Sequence, residues 1–330
     1  MTVSIIIAAK GYCEKLKECV SKCLALNFTD YEILILPDSS FPTEGVFLAP
    51  NIKIISTGNL IPSHKRDLGA KEAQGRILAF LDDDTYPSKA WLTEAIKIFK
   101  EDENIACVCG PAVTPADDSL QEKASGLIYS SLFISGIHAF RYLPRKRRVV
   151  MDYPSCNFLI RRDIFNEVGG FNTKFWPGED TFLCLKVLSL NKKMIYDPKV
   201  LVFHHRRPVF KRHLSQIKNY ALHRGYFVKR YPKTSLRFEY FIPSLFIASL
   251  LLGGLLSIFF HLIRNIYLFV LSIYLTFIVI SGCLLAFNER ATFRNKITLS
   301  ILVVSGIIVT HIFYGLYFIK GLFSKKMPEE

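Results

Sequence analysis

Two groups of acidic residues have the types and the spacing to do chemistry. In the first group, Asp82, Asp83 and Asp84 directly follow an apolar run that ends at Leu81. Alternate side chains of an extended segment point the same way, so Asp82 and Asp84 can face one divalent cation, and Mg²⁺ or Mn²⁺ prefers carboxylate oxygen. The other interpretation is a solvated acidic turn or a helix N-cap. The position at the end of a predicted strand favours the cation site.

The second acidic group, Glu179 and Asp180, lies at the start of an apolar helical stretch over residues 182–190. A carboxylate at that place is stabilised by the N-terminal end of the helix dipole, so helix capping is one interpretation. Phe175 and Trp176 lie just before it and would make a partly apolar wall. In such a setting a carboxylate can act as a base on a hydroxyl group, which is the other interpretation.

Further polar residues lie near the other predicted strands. Asp38 comes after the apolar run that ends at Leu36. Its carboxylate could accept hydrogen bonds from a base or a ribose, or it could form an Asx-turn. Arg66, on the next predicted helix, could meet a diphosphate with paired donors. For its neighbour Lys65, a solvated helical face is equally compatible with the sequence.

The segments around these residues alternate between strand and helix. Apolar runs predict strands, and apolar residues that recur at three and four predict helices. The predicted strands cover residues 2–9, 32–36, 52–56 and 76–81, and the predicted helices cover residues 13–26, 64–74 and 89–99. Such strands form a mostly parallel sheet covered on both faces, with ligands bound beyond the carboxyl ends of the strands. No glycine-rich dinucleotide motif or Walker motif follows any of these strands, which argues against those two kinds of phosphate site.

The C-terminal third of the chain is of a different kind. Half of the 330 residues are apolar, and the mean hydropathy is +0.26. Three runs contain no Asp, Glu, Lys or Arg, at about 241–260, 266–287 and 297–319. Each run has about 20 residues, the length that crosses a hydrocarbon layer of roughly 30 Å. The sequence therefore predicts three transmembrane helices within residues 240–320, because three buried soluble helices in succession are a weaker interpretation.

The charge of the chain indicates an anionic partner. The 42 Lys and Arg residues exceed the 28 Asp and Glu residues by 14, and an excess of this kind attracts nucleic acid, lipid headgroups or phosphorylated ligands. Nucleic-acid binding would explain the charge but not three membrane spans. We therefore expect no nucleic-acid partner, and we expect residues 209–239 to form a basic amphipathic helix on an anionic inner leaflet.

The basic residues also predict an orientation in the membrane. Ten Lys and Arg residues lie between residues 206 and 237, just before the first apolar run. By the positive-inside bias, and because no signal peptide is recognisable, residues 1–208 are expected on the cytoplasmic face of the cell membrane. An in–out–in arrangement then places the tail, residues 321–330, outside. Lys325 and Lys326 in that tail oppose the bias.

Taken in order along residues 2–208, these motifs resemble the family 2 glycosyltransferases of the GT-A fold. The resemblance implies an α/β GT-A domain over residues 1–208, with a mostly parallel central sheet, followed by the three transmembrane helices. The motifs that carry it are Ser-Ile-Ile-Ile-Ala-Ala at 4–9, Asp38, Lys-Arg-Asp at 65–67, Gly-Arg-Ile-Leu at 75–78, Leu-Asp-Asp-Asp at 81–84, Asn-Phe-Leu-Ile-Arg-Arg at 157–162, Val-Gly-Gly-Phe at 168–171 and Gly-Glu-Asp at 178–180.

The resemblance assigns one group of residues to a nucleotide-diphosphate sugar donor. Asp38 would contact the nucleotide base, Arg66 the phosphates and Asp82 the ribose. The other donor-binding residues would be Ala8, Lys10, Asp83 and Asn157.

A second group would bind the metal and perform the reaction. Asp82 and Asp84 would hold a divalent metal, Mg²⁺ or Mn²⁺, and Asp180 would be the catalytic base with Glu179 beside it. His204 resembles a histidine that some GT-A enzymes supply to the metal or the diphosphate. A basic pair of histidines at the membrane edge is an equally compatible view of this position.

The implied reaction is the inverting, metal-dependent transfer of a sugar to a lipid-linked or membrane-associated acceptor, in the synthesis of cell-surface glycans of the exopolysaccharide or O-antigen type. Processive synthases of the family carry a Q-x-x-R-W motif. Trp occurs only at positions 91 and 176, so a single-addition enzyme is favoured. Two alternatives stay open: transfer to polyprenyl phosphate, and an inactive membrane scaffold or binding protein that retains a GT-A domain.

Overall fold

The computed structural model describes residues 1–327 of the chain. These residues fold into two compact units. The first contains Met1–Val113 and Phe140–His205, and the second contains Thr114–Ala139 and the residues from Arg206 onward. The prediction was one continuous domain over residues 1–208, and the structure differs because the internal segment Thr114–Ala139 packs with the second unit. The last three residues of the predicted tail, 328–330, lie outside the described part.

The strands and helices follow one another in the alternating order that the sequence predicts. The strands are β1 Val3–Ala8, β2 Tyr31–Leu36, β3 Ile52–Ile54, β4 Ile77–Asp82, β5 Thr85–Pro87, β6 Ile105–Cys109, β7 Ala112–Val113, β8 Arg148–Val149, β9 Asn157–Arg161, β10 Lys193–Tyr196 and β11 Val202–His204. The helices are α1 Glu14–Leu24, α2 Pro62–Glu72, α3 Trp91–Phe99, α4 Leu120–Ser130, α5 Leu132–Ser135, α6 Arg162–Glu167, α7 Glu179–Ser189, α8 Lys211–Arg230, α9 Pro232–Ser235, α10 Phe238–Phe259, α11 His261–Phe287 and α12 Phe293–Phe323.

The first unit is built on an eight-stranded sheet in the order β3-β2-β1-β4-β9-β6-β10-β8. Strands β1, β2, β3 and β4 are parallel to one another, whereas β9 runs antiparallel to both β4 and β6. In β1, the side chains of Ile5 and Ile7 lie in one buried cluster and that of Ile6 lies in another. Because successive side chains alternate across a strand, both faces of the sheet are covered. The predicted α/β domain with a mostly parallel sheet is therefore confirmed.

A second, three-stranded sheet in the order β5-β11-β7 lies beyond the end of β4. Strand β11 is antiparallel to β5, and its register places His204 opposite Thr85. Gly110 permits this arrangement, since a Cβ atom there would lie 1.8 Å from the backbone oxygen of Val200. The small sheet thus carries the end of β11 to the residues that follow β4.

The second unit consists of helices. Three of them, α10, α11 and α12, have mean hydropathies of 2.2, 2.5 and 2.1 over their most apolar stretches, and each is long and apolar enough to cross a membrane. Helices α11 and α12 share a core with α4 that contains Ile128 and Val303 among its buried residues. Helix α8, inside the segment predicted to be amphipathic, buries Ile217 and Ala221 on one face and exposes Lys218 on the other.

Candidate active site

The first part of the candidate site lies where β4 ends and β11 arrives. Asp82 is the last residue of β4, Asp84 precedes β5, and His204 ends β11. One ligand atom from each of these three residues lies within 4.8 Å of the others. The Nε2 atom of His204 is 3.2 Å from the Oδ1 atom of Asp84, and the side chains of Asp82 and Asp84 are about one-third exposed. Two carboxylates and one imidazole are a ligand set that suits Mn²⁺ or a similar divalent cation.

His204, the last residue of β11, and His205, the residue after it, face different partners. His204 faces Asp84, whereas His205 lies 3.0 Å from the Oε2 atom of Glu18 on α1. Neighbouring side chains of a strand point to opposite faces, so only one of the two can face the acidic residues. The backbone N–H of His205 donates a 3.0 Å hydrogen bond to the backbone oxygen of Asp84, which fixes the main chain at that residue.

The middle carboxylate of the acidic triplet has a perturbed pKa. Burial and the charges of Asp84 and Asp82 together raise the pKa of Asp83 to about 7, while a hydrogen bond from the backbone of Lys10 acts in the opposite direction. Negative charge at this edge of the sheet is therefore not fully compensated by the described residues, which is the electrostatic setting that a cation would stabilise.

Arg66 of α2 joins the two acidic groups. Its Nη2 atom donates a 2.6 Å hydrogen bond to Asp82, and its Nη1 atom donates a 3.2 Å bond to Glu179. The Arg66 side chain is 4 % exposed. Burial works against its charge, but the carboxylates of Asp82 and Glu179 outweigh this effect and raise the pKa of Arg66. The guanidinium group is thus a permanent positive charge between the end of β4 and the start of α7.

The second acidic group begins α7. Gly178 precedes the helix with φ at 124°, a conformation that favours glycine, and its backbone N–H donates to the Oε2 atom of Glu179 at 3.0 Å. Glu179 is buried, with 4 % of its surface exposed. Burial raises the pKa of Glu179, and the charge of Arg66 opposes the rise.

Asp180, the next residue of α7, has a more strongly raised pKa than Glu179. Burial of its carboxylate raises its pKa well above the ordinary value, the charge of Glu179 adds to the rise, and both Arg66 and a hydrogen bond from Ser155 lower it. Among the described residues, its buried Oδ1 atom has no hydrogen-bond partner. A buried carboxylate with one free oxygen and a raised pKa is suited to accept a proton.

A third group lies where β1 and β2 end. The Nζ atom of Lys65 donates to the backbone oxygen of Ala9 at 2.5 Å and to the carboxylate of Asp38. The Lys65 side chain is 3 % exposed, so it does not lie on a solvated helical face. Ala8 lies next to Asp82 across the β1–β4 pair.

The family of the chain follows from its sequence. The profile described as "Glycosyl transferase family 2" matches residues 4–169, half of the 330-residue chain. The chain belongs to glycosyl transferase family 2. This confirms the family that the order of the motifs indicates.

Two further comparisons describe what this glycosyltransferase is similar to. It is 28 % identical over 146 residues to pre-mycofactocin glycosyltransferases from two strains of Mycobacterium tuberculosis, CDC 1551 and H37Rv, a match that covers 44 % of this chain and 30 % of theirs. The chain is also similar to the structure of the mannosyltransferase PcManGT from Pyrobaculum calidifontis in complex with GDP-Man and Mn²⁺. The match covers 98 % of this chain and 88 % of the PcManGT chain, with a TM-score of 0.55 and 15 % sequence identity. The likeness in fold confirms the predicted GT-A domain.

Most residues that the sequence indicated for this glycosyltransferase lie along one edge of the central sheet. Asn157 is different. It is fully buried, and its side-chain amide donates to the backbone oxygens of Gly110 and Val200 while accepting a 2.9 Å bond from the Trp91 indole. Both polar atoms of the Asn157 side chain form hydrogen bonds within the protein, so Asn157 stabilises the sheet. We therefore do not place Asn157 against a donor.

One residue of the glycosyltransferase site, Lys65, was not selected from the sequence. Its only signal was its position beside Arg66 at the start of a helix that follows a sheet edge. The helix start is enclosed, and both neighbours are therefore buried and paired, Lys65 with Asp38 and Arg66 with Asp82. Helical periodicity alone would have placed one of two adjacent residues on the solvent side.

Proposed function

We propose that this glycosyltransferase moves a sugar, with inversion, from a nucleotide-diphosphate donor to the hydroxyl group of a lipid-linked or membrane-associated acceptor. The observation that supports this most strongly is the convergence of Asp82, Asp84 and His204 at one sheet edge, tied through Arg66 to the start of α7. The inverting class suits the site because a single base acting on the acceptor requires no covalent enzyme intermediate.

The residues present fit a divalent metal, and Asp82, Asp84 and His204 would hold it. When bound, Mg²⁺ or Mn²⁺ would stabilise negative charge on the departing nucleoside diphosphate. Support for the metal comes from the ligand chemistry of the three residues and from the pKa of Asp83, which is raised to about 7 by burial and by its acidic neighbours. The PcManGT structure, with its GDP-Man and Mn²⁺, is consistent with a donor of this class.

The chain's own residues then have separate tasks. Asp38, held by Lys65, would accept hydrogen bonds from the nucleoside, and Arg66 would add positive charge beside the phosphates. Asp180 would take the proton of the acceptor hydroxyl onto its unpartnered Oδ1 atom as that hydroxyl attacks the anomeric carbon. Glu179 would hold the Arg66 guanidinium in place.

The second unit supports the proposed acceptor and location. Three helices long and apolar enough to cross a membrane would keep the catalytic unit at a lipid surface, where a lipid-linked acceptor is found. The basic residues before α10 support a position on the cytoplasmic face, against an anionic inner leaflet. We place the reaction in the synthesis of cell-surface glycans.

The proposal is tested by donor turnover in the full chain, reconstituted in lipid with a membrane lipid extract as the source of acceptor. We expect release of nucleoside diphosphate from at least one of a panel of sugar nucleotides, and loss of that release when EDTA removes divalent cations. Asp84→Ala and Asp180→Asn should each abolish release. The matched control is Asp163→Asn, since Asp163 is an exposed carboxylate at the start of α6. Release that survives chelation and both variants would contradict the mechanism, and the absence of release from any donor would favour an inactive scaffold.

A further inference from the structure

The third apolar helix, α12, has different surroundings from the other two. One-third of its most apolar stretch is buried within the protein, compared with 11 % for α10 and 11 % for α11. Hydropathy treats the three helices alike because each has the length and composition of a membrane span. The contacts that α12 makes within the protein distinguish it from α10 and α11.

The C-terminal half of α12 runs beside the basic helix α8. The Nε2 atom of His213, near the start of α8, lies 3.0 Å from the hydroxyl oxygen of Thr310. Further along, a Cβ atom on Gly225 would lie 2.1 Å from the backbone oxygen of Phe318. At the end of α8, the Nζ atom of Lys229 donates a 2.9 Å hydrogen bond to the backbone oxygen of Ser324. The two helices therefore stay in contact along residues 310–324 of the chain.

Helix α8 does not suit a hydrocarbon environment. Five of its basic side chains are exposed, and charged side chains are costly inside a bilayer. These residues are Lys211, Arg212, Lys218, Lys229 and Arg230. Since α8 must lie among headgroups or water, the part of α12 that runs beside it lies there too. What remains of the apolar run, residues 297–309, is about 20 Å long at 1.5 Å per residue, and the hydrocarbon layer is roughly 30 Å thick.

Two parts of α12 contact the two ends of the α10–α11 pair that lie on the same side. Near its C-terminus, Phe318 packs against Phe241 at the start of α10, with ring centres 5.0 Å apart. Nearer its N-terminus, Val304 packs against Gly282 towards the end of α11. If α10 and α11 cross the membrane as a hairpin, the start of α10 and the end of α11 lie at one membrane face. Helix α12 then lies across the half of the hairpin next to that face, as far as Tyr274 in the middle of α11, whose hydroxyl lies 2.9 Å from the Nδ1 atom of His311.

Helix α4 covers another stretch of α12. Ile128 of α4 fills the space beside Gly306, where a Cβ atom would lie 2.3 Å from its side chain. The Nδ1 atom of His213 lies 2.8 Å from the hydroxyl of Ser125, so one imidazole joins α4, α8 and Thr310 of α12. A buried chain of polar groups across three helices holds α12 to elements that precede the membrane region.

We propose that α10 and α11 alone cross the membrane, as a hairpin, and that α12 lies in the headgroup region of the leaflet next to α8. The partner of α12 is then a lipid surface rather than the bilayer interior. The tail with Lys325 and Lys326 lies on the same side as α8, which removes the conflict with the positive-inside bias. The arrangement predicted from hydropathy puts that tail on the opposite side.

Labelling of single cysteines by a membrane-impermeant maleimide tests the proposal in sealed vesicles that hold the full chain in one orientation. The background variant is Cys13→Ser, because Cys13 is the exposed cysteine among the described residues and serine keeps its cap on α1. Three exposed positions each receive one cysteine, as Arg212→Cys in α8, Arg264→Cys near the hairpin tip and Lys326→Cys in the tail.

We expect Lys326→Cys to be labelled from the same side as Arg212→Cys, and Arg264→Cys only from the other side. Labelling of Lys326→Cys together with Arg264→Cys would show that α12 crosses and would overturn the proposal. Labelling of all three from one side would overturn it as well, because the hairpin would not cross. Lys325→Cys and Asn265→Cys repeat the tail and tip measurements at neighbouring exposed positions. The vesicles bearing Cys13→Ser alone give the background from the buried cysteines and Cys283.

Discussion

The two acidic groups of the first unit, the one that contains the central sheet, lie in different environments. The side chains of Asp82 and Asp84 are 32 % and 34 % exposed, whereas that of Glu179 is 5 % exposed and the Oδ1 atom of Asp180 is buried. The open group consists of Asp82 and Asp84 with His204, and these side chains could hold a metal ion. The closed group consists of Glu179 and Asp180, and Arg66 partly balances its negative charge through an ion pair with Glu179.

The difference in exposure indicates how one sheet edge could bind a metal ion at the open group and accept a proton at the closed group. A solvent-exposed carboxylate stays ionised and can bind a cation. Burial destabilises the ionised form of a carboxylate, so a buried carboxylate binds a proton more readily. Arg66 couples the two groups because it pairs with Asp82 on one side and Glu179 on the other.

The largest effect is expected at the closed group. Asp180→Asn removes the proposed base and should lower kcat by about 10³-fold, within the usual range for loss of a general base. Asparagine keeps the shape of the side chain, so the affinity for the donor should stay close to that of the unmodified chain. The measurements are kcat for nucleoside diphosphate release and donor Kd in the presence of Mn²⁺. A donor affinity that falls as far as kcat would contradict the separation of the two groups.

The next effect concerns the open group and uses the two adjacent histidines as a matched pair. His204→Ala should raise the Mn²⁺ concentration for half-maximal activity by at least about tenfold, since even the outer partners of metal ligands change affinity 10–100-fold. His205→Ala should leave that concentration nearly unchanged, because His205 faces Glu18 instead. Equal effects of the two variants in a Mn²⁺ titration would remove His204 from the metal site.

The coupling between the groups predicts an effect on stability. Arg66→Met leaves Glu179 buried without its partner and should destabilise the catalytic unit by about 3–5 kcal/mol, the usual cost of breaking a buried ion pair from one side. Adding Glu179→Gln to that variant should recover part of the loss. Thermal unfolding midpoints of the full chain in detergent measure both effects. A double variant no more stable than Arg66→Met would argue against the 3.2 Å interaction between Arg66 and Glu179.

The smallest effect is a shift in pH dependence. The pKa of Asp180 is raised by burial and by Glu179, while Arg66 and Ser155 lower it. The base works only when ionised, so kcat/KM should fall as pH decreases through a value above the ordinary 3.8 of an aspartate. Ser155→Ala removes a hydrogen bond that favours the ionised form and should move this acidic limb to higher pH. An unchanged or lower limb in the pH profile of kcat/KM would contradict the role of Ser155.

Much of the site could be predicted from local sequence because its residues follow strands. Asp82, Asp84 and Asp38 come directly after apolar runs, and the carboxyl ends of parallel strands meet at one edge. His204 was indicated only by resemblance to a family, since its position depends on the pairing of β11 with β5, more than 110 residues earlier in the chain. The buried state of Lys65 and the saturated amide of Asn157 depend on backbone atoms brought together by folding, and no local pattern reports them.

The fold was predictable to a similar extent and for similar reasons. Alternating strands and helices predicted the mostly parallel sheet, but antiparallel β9, inserted between β4 and β6, has no local signal. The segment Thr114–Ala139 packs with the second unit because Leu127 and Ile128 find apolar partners there. Hydropathy counts apolar residues in a helix but does not report which neighbours cover it, so it cannot distinguish α12 from α10.

In the proposed mechanism, a divalent cation at Asp82, Asp84 and His204 holds the donor, and Asp180 acts afterwards. Calorimetric titration of the donor, with and without Mn²⁺, tests this most directly when the unmodified chain, Asp84→Ala and Asp180→Asn are compared. We predict Mn²⁺-dependent donor binding in the unmodified chain and in Asp180→Asn, and its loss in Asp84→Ala. Donor binding that is independent of Mn²⁺ in the unmodified chain, or retained with Mn²⁺ dependence in Asp84→Ala, would contradict the account.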